Sequence, residues 1–408
     1  MDLREDAEPM ASWLAELRRN VHREPEVGLH VPRTRDKVLA ALDGLPLTVT
    51  EGRALSSVTA VLHGSRPGPV VLLRADMDAL PLTEQADVPY RSRFDGRMHA
   101  CGHDMHTAML VGAAHLLARR ADRLAGRVVL MFQPGEEGHD GARHMLDEGV
   151  LDAAGDRPVA AYALHVSSAH WPHGRFATRP GPLMAAADRL AVAVRGAGGH
   201  GSEPHRAVNP VPAVCAMVQE LPGHVARLVD PTEPVVVNVG TLRAGTASNI
   251  VPETASFEVG VRTMDPAVGE HLSRALVRFC EDVAAAHGAT ADARYLFGYP
   301  AAVACPDESR FAADVAREVF GDDRYQEMAR PLTASEDFSR VLREVPGTIL
   351  QLGACPPDRD HREAPGNHSP HVVFDDAVLA DGAAMYAELA WRRLASVHSG
   401  HDGAGEGR

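Results

Sequence analysis

Three short runs in the chain are apolar without a break: residues 70–73 (VVLL), 128–132 (VVLMF) and 159–164 (VAAYAL). A strand with no polar alternation is expected where both faces are buried, as in a parallel sheet covered by helices. Residues 348–352 (TILQL) read as a fourth strand late in the chain. Helical spacing appears between the strands, at 107–119 and 143–148, and again over 372–395. Residues 9–43 also read as helical, interrupted near Pro25 and Pro32. Strands alternating with helices predict an α/β fold with a mostly parallel, helix-covered sheet.

The pattern changes between 182 and 290. Leu190, Val192 and Val194 alternate with other residues, as do Phe257, Val259 and Val261, which predicts half-buried strands near 190–194 and 254–263. A further strand is expected at 235–242, helices at 210–228 and 267–287, and a closing strand at 291–297. The order β-α-β-β-α-β is that of a split, ferredoxin-like α+β unit. Residues 182–290 are therefore expected to form a smaller domain, inserted into a larger one built from 1–181 and 291–408. The Gly-rich tail after His398 reads as lacking structure.

A length of 408 residues agrees with two domains, and 45% apolar with 24% charged residues is an ordinary globular balance. A net charge of −14 argues against nucleic acid or an anionic membrane as partner. The first residues precede no apolar stretch, and nowhere do about eighteen apolar residues run together, so neither a signal peptide nor a membrane span is expected. The cysteines, Cys101, Cys215, Cys280, Cys305 and Cys355, are scattered and odd in number. That is no disulfide framework and points to the cytoplasm. Cys215 and Cys280 fall in apolar helical stretches and read as packing residues.

Candidate chemistry gathers where the strands end. Ligands of open α/β sheets bind beyond the carboxyl ends of the strands. The first run leads into Asp76-Met77-Asp78, the second into Gly135-Glu136-Glu137 and the third into His165. Any one of these could be a turn residue or a satisfied histidine; three at one sheet edge form a constellation. The loop His99-Ala100-Cys101-Gly102-His103-Asp104-Met105-His106 adds a thiol and an imidazole two residues apart, separated by a glycine that permits close backbone approach. A thiolate and an imidazole at a helix start suit zinc and similar metals. Near the end stands Gly366-Asn367-His368-Ser369-Pro370-His371, with His361 close by. Spacing alone leaves open which of these histidines turns inward.

These segments resemble the amidohydrolase branch of the metal-dependent aminoacylase/carboxypeptidase family, which includes hippurate hydrolases, bacterial N-acyl-amino-acid deacylases and plant auxin-conjugate hydrolases. The matching stretches are RADMDALP (74–81), MHACGHDMH (98–106), FQPGEE (132–137), ALH (163–165), GGHGS (198–202), SNIVP (248–252), SEDF (335–338) and NHSP (367–370). They follow the family's order and cover nearly the whole chain. The resemblance implies two divalent metal ions (zinc, manganese, cobalt or nickel) bridged by Cys101. His103 and His165 would complete one site, and Glu137 and His368 the other. Glu136 matches the general base, and Asp78 the aspartate that orients a metal-bound group. The inserted block matches a lid that also forms a dimer contact, which implies a homodimer or a higher homo-oligomer. On that block His200 resembles the residue that steadies the oxyanion, and Asn249 and Arg262 resemble groups that hold a substrate carboxylate. The loop 166–172 departs from many relatives and leaves acyl specificity open; His170 and His173 in this region read as surface residues.

The implied reaction is hydrolysis of the amide bond of an N-acyl amino acid, with Glu136 moving the proton. Two other readings stand beside it: a dipeptidase or carboxypeptidase of the same family, and a non-catalytic metal-binding scaffold.

Overall fold

The three apolar runs form the middle of an eight-stranded sheet in the computed structural model, which describes residues 3–402. Its strands are β1 (Leu47–Glu51), β2 (Val58–His63), β3 (Arg66–Asp76), β4 (Ala125–Gln133), β5 (Ala160–Ser167), β6 (Phe176–Thr178), β7 (Tyr325–Glu327) and β8 (Gly347–Gly353). They lie in the order β1-β2-β4-β3-β5-β8-β6-β7. The centre, β4-β3-β5-β8, is parallel, whereas β1 and β2 extend it antiparallel and β6 runs antiparallel to β8. Every residue of β8 is buried, as is Val70–Asp76 of β3, in keeping with their nearly unbroken apolar sequence.

Three helices matter for the site: α1 (Ala11–His22), α2 (His103–Ala118) and α3 (Leu379–Asp402). Helix α2 begins four residues before the expected 107, because Gly102, at φ +88°, turns the chain directly into a helix at His103. Helix α3 begins later than the expected 372. Asp375 accepts the N–H of Ala377 and caps a short 3₁₀ turn first, while Val372 and Phe374 are buried as irregular chain. Helix α3 runs four residues past His398; the remainder of the expected tail, 403–408, lies outside the described residues. Helices α2 and α3 pack together and against β3. No helix of the described residues is long and apolar enough to cross a membrane.

The chain divides into two compact units. The larger comprises the chain up to Gly181, Val303–Arg330 and the part from Arg340 onward; the smaller is Pro182–Ala302 with Pro331–Ser339. Within the smaller unit, four antiparallel strands lie in the order Val235–Ala244, Thr254–Thr263, Ala187–Arg195, Thr290–Tyr299. Numbered along the chain that order is 2-3-1-4, the ferredoxin-like arrangement. Val192 faces Phe257 and Leu190 faces Val259 across the ladder, and the buried face packs on helices Pro210–Leu228 and Pro266–Ala286. Both helices open on a side-chain cap followed by proline: Asn209 accepts from Val211 N–H at 3.1 Å and Asp265 from Ala267 N–H at 2.7 Å.

A buried polar network joins α1 to α2 beside the candidate site. Arg18 is 1% exposed; its Nε lies 2.7 Å from Asp104 Oδ2, and its guanidinium stacks over Tyr90. His22 places Nδ1 2.8 Å from the same Asp104 oxygen and Nε2 3.1 Å from Glu84. Burial works against the Asp104 charge, but Arg18 and His22 outweigh it and hold the carboxyl far below its usual range. A depressed carboxyl contributes stability above its unfolded value, about pH 4, and loses it as pH falls through the folded value. Asp104→Asn is therefore expected to cost about 3–5 kcal/mol near neutral pH, by stranding Arg18 and His22. It should also flatten the loss of stability in acid. Urea unfolding followed from pH 7 downward measures both; a change below about 1 kcal/mol at pH 7 contradicts the network's role.

Candidate metal centre

Parallel register brings the ends of β3, β4 and β5 side by side: Asp76 pairs with Gln133, and Arg74 with Ala163. Asp78 therefore emerges next to the turn that carries Glu136 and Glu137. Its two carboxylate oxygens accept the backbone N–H groups of Glu136 (2.9 Å) and Glu137 (3.0 Å). Oδ1 of Asp78 is also 3.5 Å from Nδ1 of His103. Gly135, at φ +75°, makes the turn possible; a Cβ there would meet Leu29 at 2.5 Å.

Cys101 and His103 reach the same place from the other side. Gly102 between them is left-handed, and a Cβ on it would stand 2.3 Å from Val166 Cγ2. Only glycine fits, and the reversal it makes turns both side chains inward. His165, on β5, donates Nδ1–H to the Val166 carbonyl at 2.9 Å and presents Nε2 to Cys101 Sγ at 3.5 Å. His368 places Nε2 3.0 Å from Glu137 Oε1.

Ligating atoms of Cys101, His103 and His165 lie within 4.8 Å of one another, as do those of Cys101, Glu137 and His368. The two groups share the thiol. A third group joins His103 to both Glu136 and Glu137. The donor set fits divalent metal. It consists of sulfur, imidazole and carboxylate, and the buried His103 has no aligned hydrogen-bond partner for either ring nitrogen among the described residues. Burial opposes a charge on His103, yet Asp76 and Cys101 raise its pKa well above the usual value. Hydrogen bonds with Cys101 and Glu137 push His368 up to about 10. Burial and the neighbouring His106 instead hold His165 well below it.

Two residues without an assigned role also belong to this place. His106 Nε2 accepts the N–H of Val166 at 2.8 Å, so its proton is on Nδ1, which donates to Asp76 at 2.6 Å. Asp76 in turn is bound by Arg74 Nη1 at 2.6 Å. His103 and His106 share a helix face by their three-residue spacing, the one sequence signal that links them. His170, His173 and His361 enter none of the ligating groups found among the described residues; His173 pairs with Asp375 at 3.0 Å.

The remaining candidates belong to the smaller unit. His200 and Asn249 are neighbours there: His200 pairs with Ile250 in a two-stranded ladder, and Gly201 N–H donates to the Asn249 carbonyl at 2.8 Å. The Nδ1 of His200 accepts the N–H of Ser202 at 3.2 Å. Arg262 is half-buried on strand Thr254–Thr263, opposite Val236.

Comparison with known proteins places this geometry in context. The sequence model of peptidase family M20/M25/M40 matches residues 72–392. The thermostable carboxypeptidase 1 of Saccharolobus solfataricus is 35% identical over 396 residues, covering 95% of this chain and 97% of that protein. The N-acetylcysteine deacetylase of Bacillus subtilis is 32% identical over 379 residues, covering 92% and 96%. Among solved structures, the Bacillus subtilis YXEP protein, described as a dinuclear metal binding peptidase from the M20 family, superposes with a TM-score of 0.81 at 29% identity, covering 96% of this chain and 100% of that one.

Because both groups use one thiol, Cys101→Ala is expected to lose metal from both. Elemental analysis of the purified variant measures this, and two retained equivalents per chain would sink the sharing.

Proposed function

The chain belongs to peptidase family M20/M25/M40, and on that premise we propose that it hydrolyses the amide bond of N-acyl amino acids, releasing a carboxylic acid and a free amino acid. Its relatives make it a metal-dependent amide hydrolase. The observation that carries the finer reading is the position of Glu136, whose carboxylate lies within 4.8 Å of ligating atoms of His103 and Glu137. Two divalent ions, zinc, manganese, cobalt or nickel, are assigned to the groups that share Cys101; such ions acidify water and polarise a carbonyl.

Glu136 takes a proton from the water that attacks the acyl carbon. It returns that proton to the nitrogen as the C–N bond breaks, so the amine leaves neutral. Glu137, engaged with His368, serves as a ligand while its neighbour moves protons. Asp78 holds both by their backbones. His200 is assigned to the developing oxyanion. Its accepting Nδ1 leaves the ring proton on Nε2, which supports a donor role. Asn249 and Arg262 are assigned to the substrate carboxylate, where a planar guanidinium can bind both oxygens.

The partner is a small-molecule substrate, and a second copy of the chain is proposed as well. The strand Val235–Ala244 is a sheet edge, and Val236 and Leu242 on it are exposed at 43% and 48%. An apolar edge of this kind favours pairing with another edge. Five free thiols, with no disulfide among the described residues, support a cytoplasmic location.

Glu136→Gln is expected to keep its metal and lose about 10²–10⁴-fold in turnover. Retained turnover removes Glu136 as the base. The metal-loaded enzyme should cleave N-acetyl and N-benzoyl amino acids faster than dipeptides with free amines; the reverse order favours the dipeptidase or carboxypeptidase reading, which the 35% identity to a carboxypeptidase supports. Leu242→Asp should convert a dimer to monomers in sedimentation velocity, and an unchanged dimer places the contact elsewhere.

A further inference from the structure

His368 has the least regular support of the candidate ligands. Residues 354–375, all described, form neither helix nor strand, and His368 itself sits at φ +70°, a backbone conformation that costs a non-glycine residue about 1–3 kcal/mol. Something must hold it beside Cys101. Its own N–H donates to the Ala100 carbonyl at 2.9 Å. The larger share falls to the residue before it.

The side chain of Asn367 reaches two other ligand-bearing segments at once. Its Nδ2 donates to the Cys101 carbonyl at 3.1 Å and to the Val166 carbonyl at 3.0 Å, while its Oδ1 accepts the N–H of Ser168 at 3.3 Å. Two carbonyls on one side and an N–H on the other allow a single orientation of the amide. The Val166 carbonyl is also the acceptor that fixes the ring of His165, through Nδ1–H at 2.9 Å. One amide therefore links the backbone of Cys101, the acceptor that orients His165, and the chain bearing His368.

We propose that Asn367 is a positioning residue that sets the spacing of the two metal positions, tying His368 to Cys101 and to the ring of His165. The proposal rests on the reading that each group sharing Cys101 holds one divalent ion. Without Asn367, the Cys101-His103-His165 group keeps its helix and strand supports. The Cys101-Glu137-His368 group loses the cross-link on its loop side. Loss of an outer contact of this kind typically weakens metal binding about 10–100-fold.

The test uses the metal-stripped full-length chain titrated with Co(II) alone, followed by calorimetry and by the thiolate-to-cobalt absorption bands. Wild type should take up two equivalents. Asn367→Ala and Asn367→Leu, the second keeping the branching and size of asparagine without its donors, should retain one equivalent at wild-type affinity. The other should weaken about 10–100-fold, with altered thiolate bands. Excess Co(II) should restore those bands, which a collapsed fold does not permit. Both equivalents bound with wild-type affinity and spectra in the two variants overturn the proposal. A wild-type chain that binds fewer than two equivalents overturns the two-ion reading instead, and the proposal with it.

Discussion

The centre depends on one carboxylate, Asp78, whose oxygens accept two consecutive backbone N–H groups from the opposite turn. A buried carboxylate needs such donors to remain in an apolar surrounding, and a buried turn needs acceptors for its amides. Each requirement meets the other here. Because β3 and β4 are parallel neighbours with Asp76 level with Gln133, the chain needs only two more residues on one strand and three and four on the other to bring Asp78 to the N–H groups of Glu136 and Glu137. Sheet register is thus converted into the position of Glu136 and Glu137, and the same Asp78 oxygen faces His103.

Around this anchor three imidazoles are tuned in different directions by what surrounds them. His103 is buried and His165 half-buried, and desolvation alone would depress both. His103 faces Asp76 and Cys101 and is raised; His165 faces His106 and falls further. His165 is therefore a neutral ring, its Nδ1–H committed to the Val166 carbonyl and its Nε2 lone pair turned to Cys101. It is ready to ligate without releasing a proton. His103 and His368, both raised, are the rings whose protons a divalent ion at the proposed centre would have to displace.

Much of the fold was legible because burial on both faces leaves an unbroken apolar run, as at 70–73, 128–132 and 159–164, and burial on one face leaves alternation, as at 257, 259 and 261. Short peripheral strands left no comparable mark: β1 is mostly exposed, and β6 and β7 have three residues each. The start of α3 was misplaced because Val372 and Phe374 are buried without being helical, so their apolar character imitated helical spacing. At the site, residue types and strand ends were readable, since thiol, imidazole and carboxylate declare their chemistry wherever they stand. The supports were not. Asn367 acts on Cys101 across 266 positions and His106 on Val166 across 60, through backbone groups that every residue possesses.

Glu136 and Glu137 show how such supports separate like residues. Both are glutamates, adjacent, with their N–H groups on the same carboxylate. Residue type and spacing give no reason to treat them differently; in the sequence only the family resemblance separates them. Burial opposes the charge of Glu137, but the hydrogen bond with His368 and the field of His103 hold it below the usual carboxylate range, the behaviour of a group that meets a cation as an anion. That commitment depends on His368 being present, and His368 stands on irregular chain fastened by Asn367. On the proposed assignment of Glu137 as ligand and Glu136 as proton carrier, the difference between them would then rest partly on a half-buried amide far away in sequence, and the loop would be as much a part of the chemistry as the sheet.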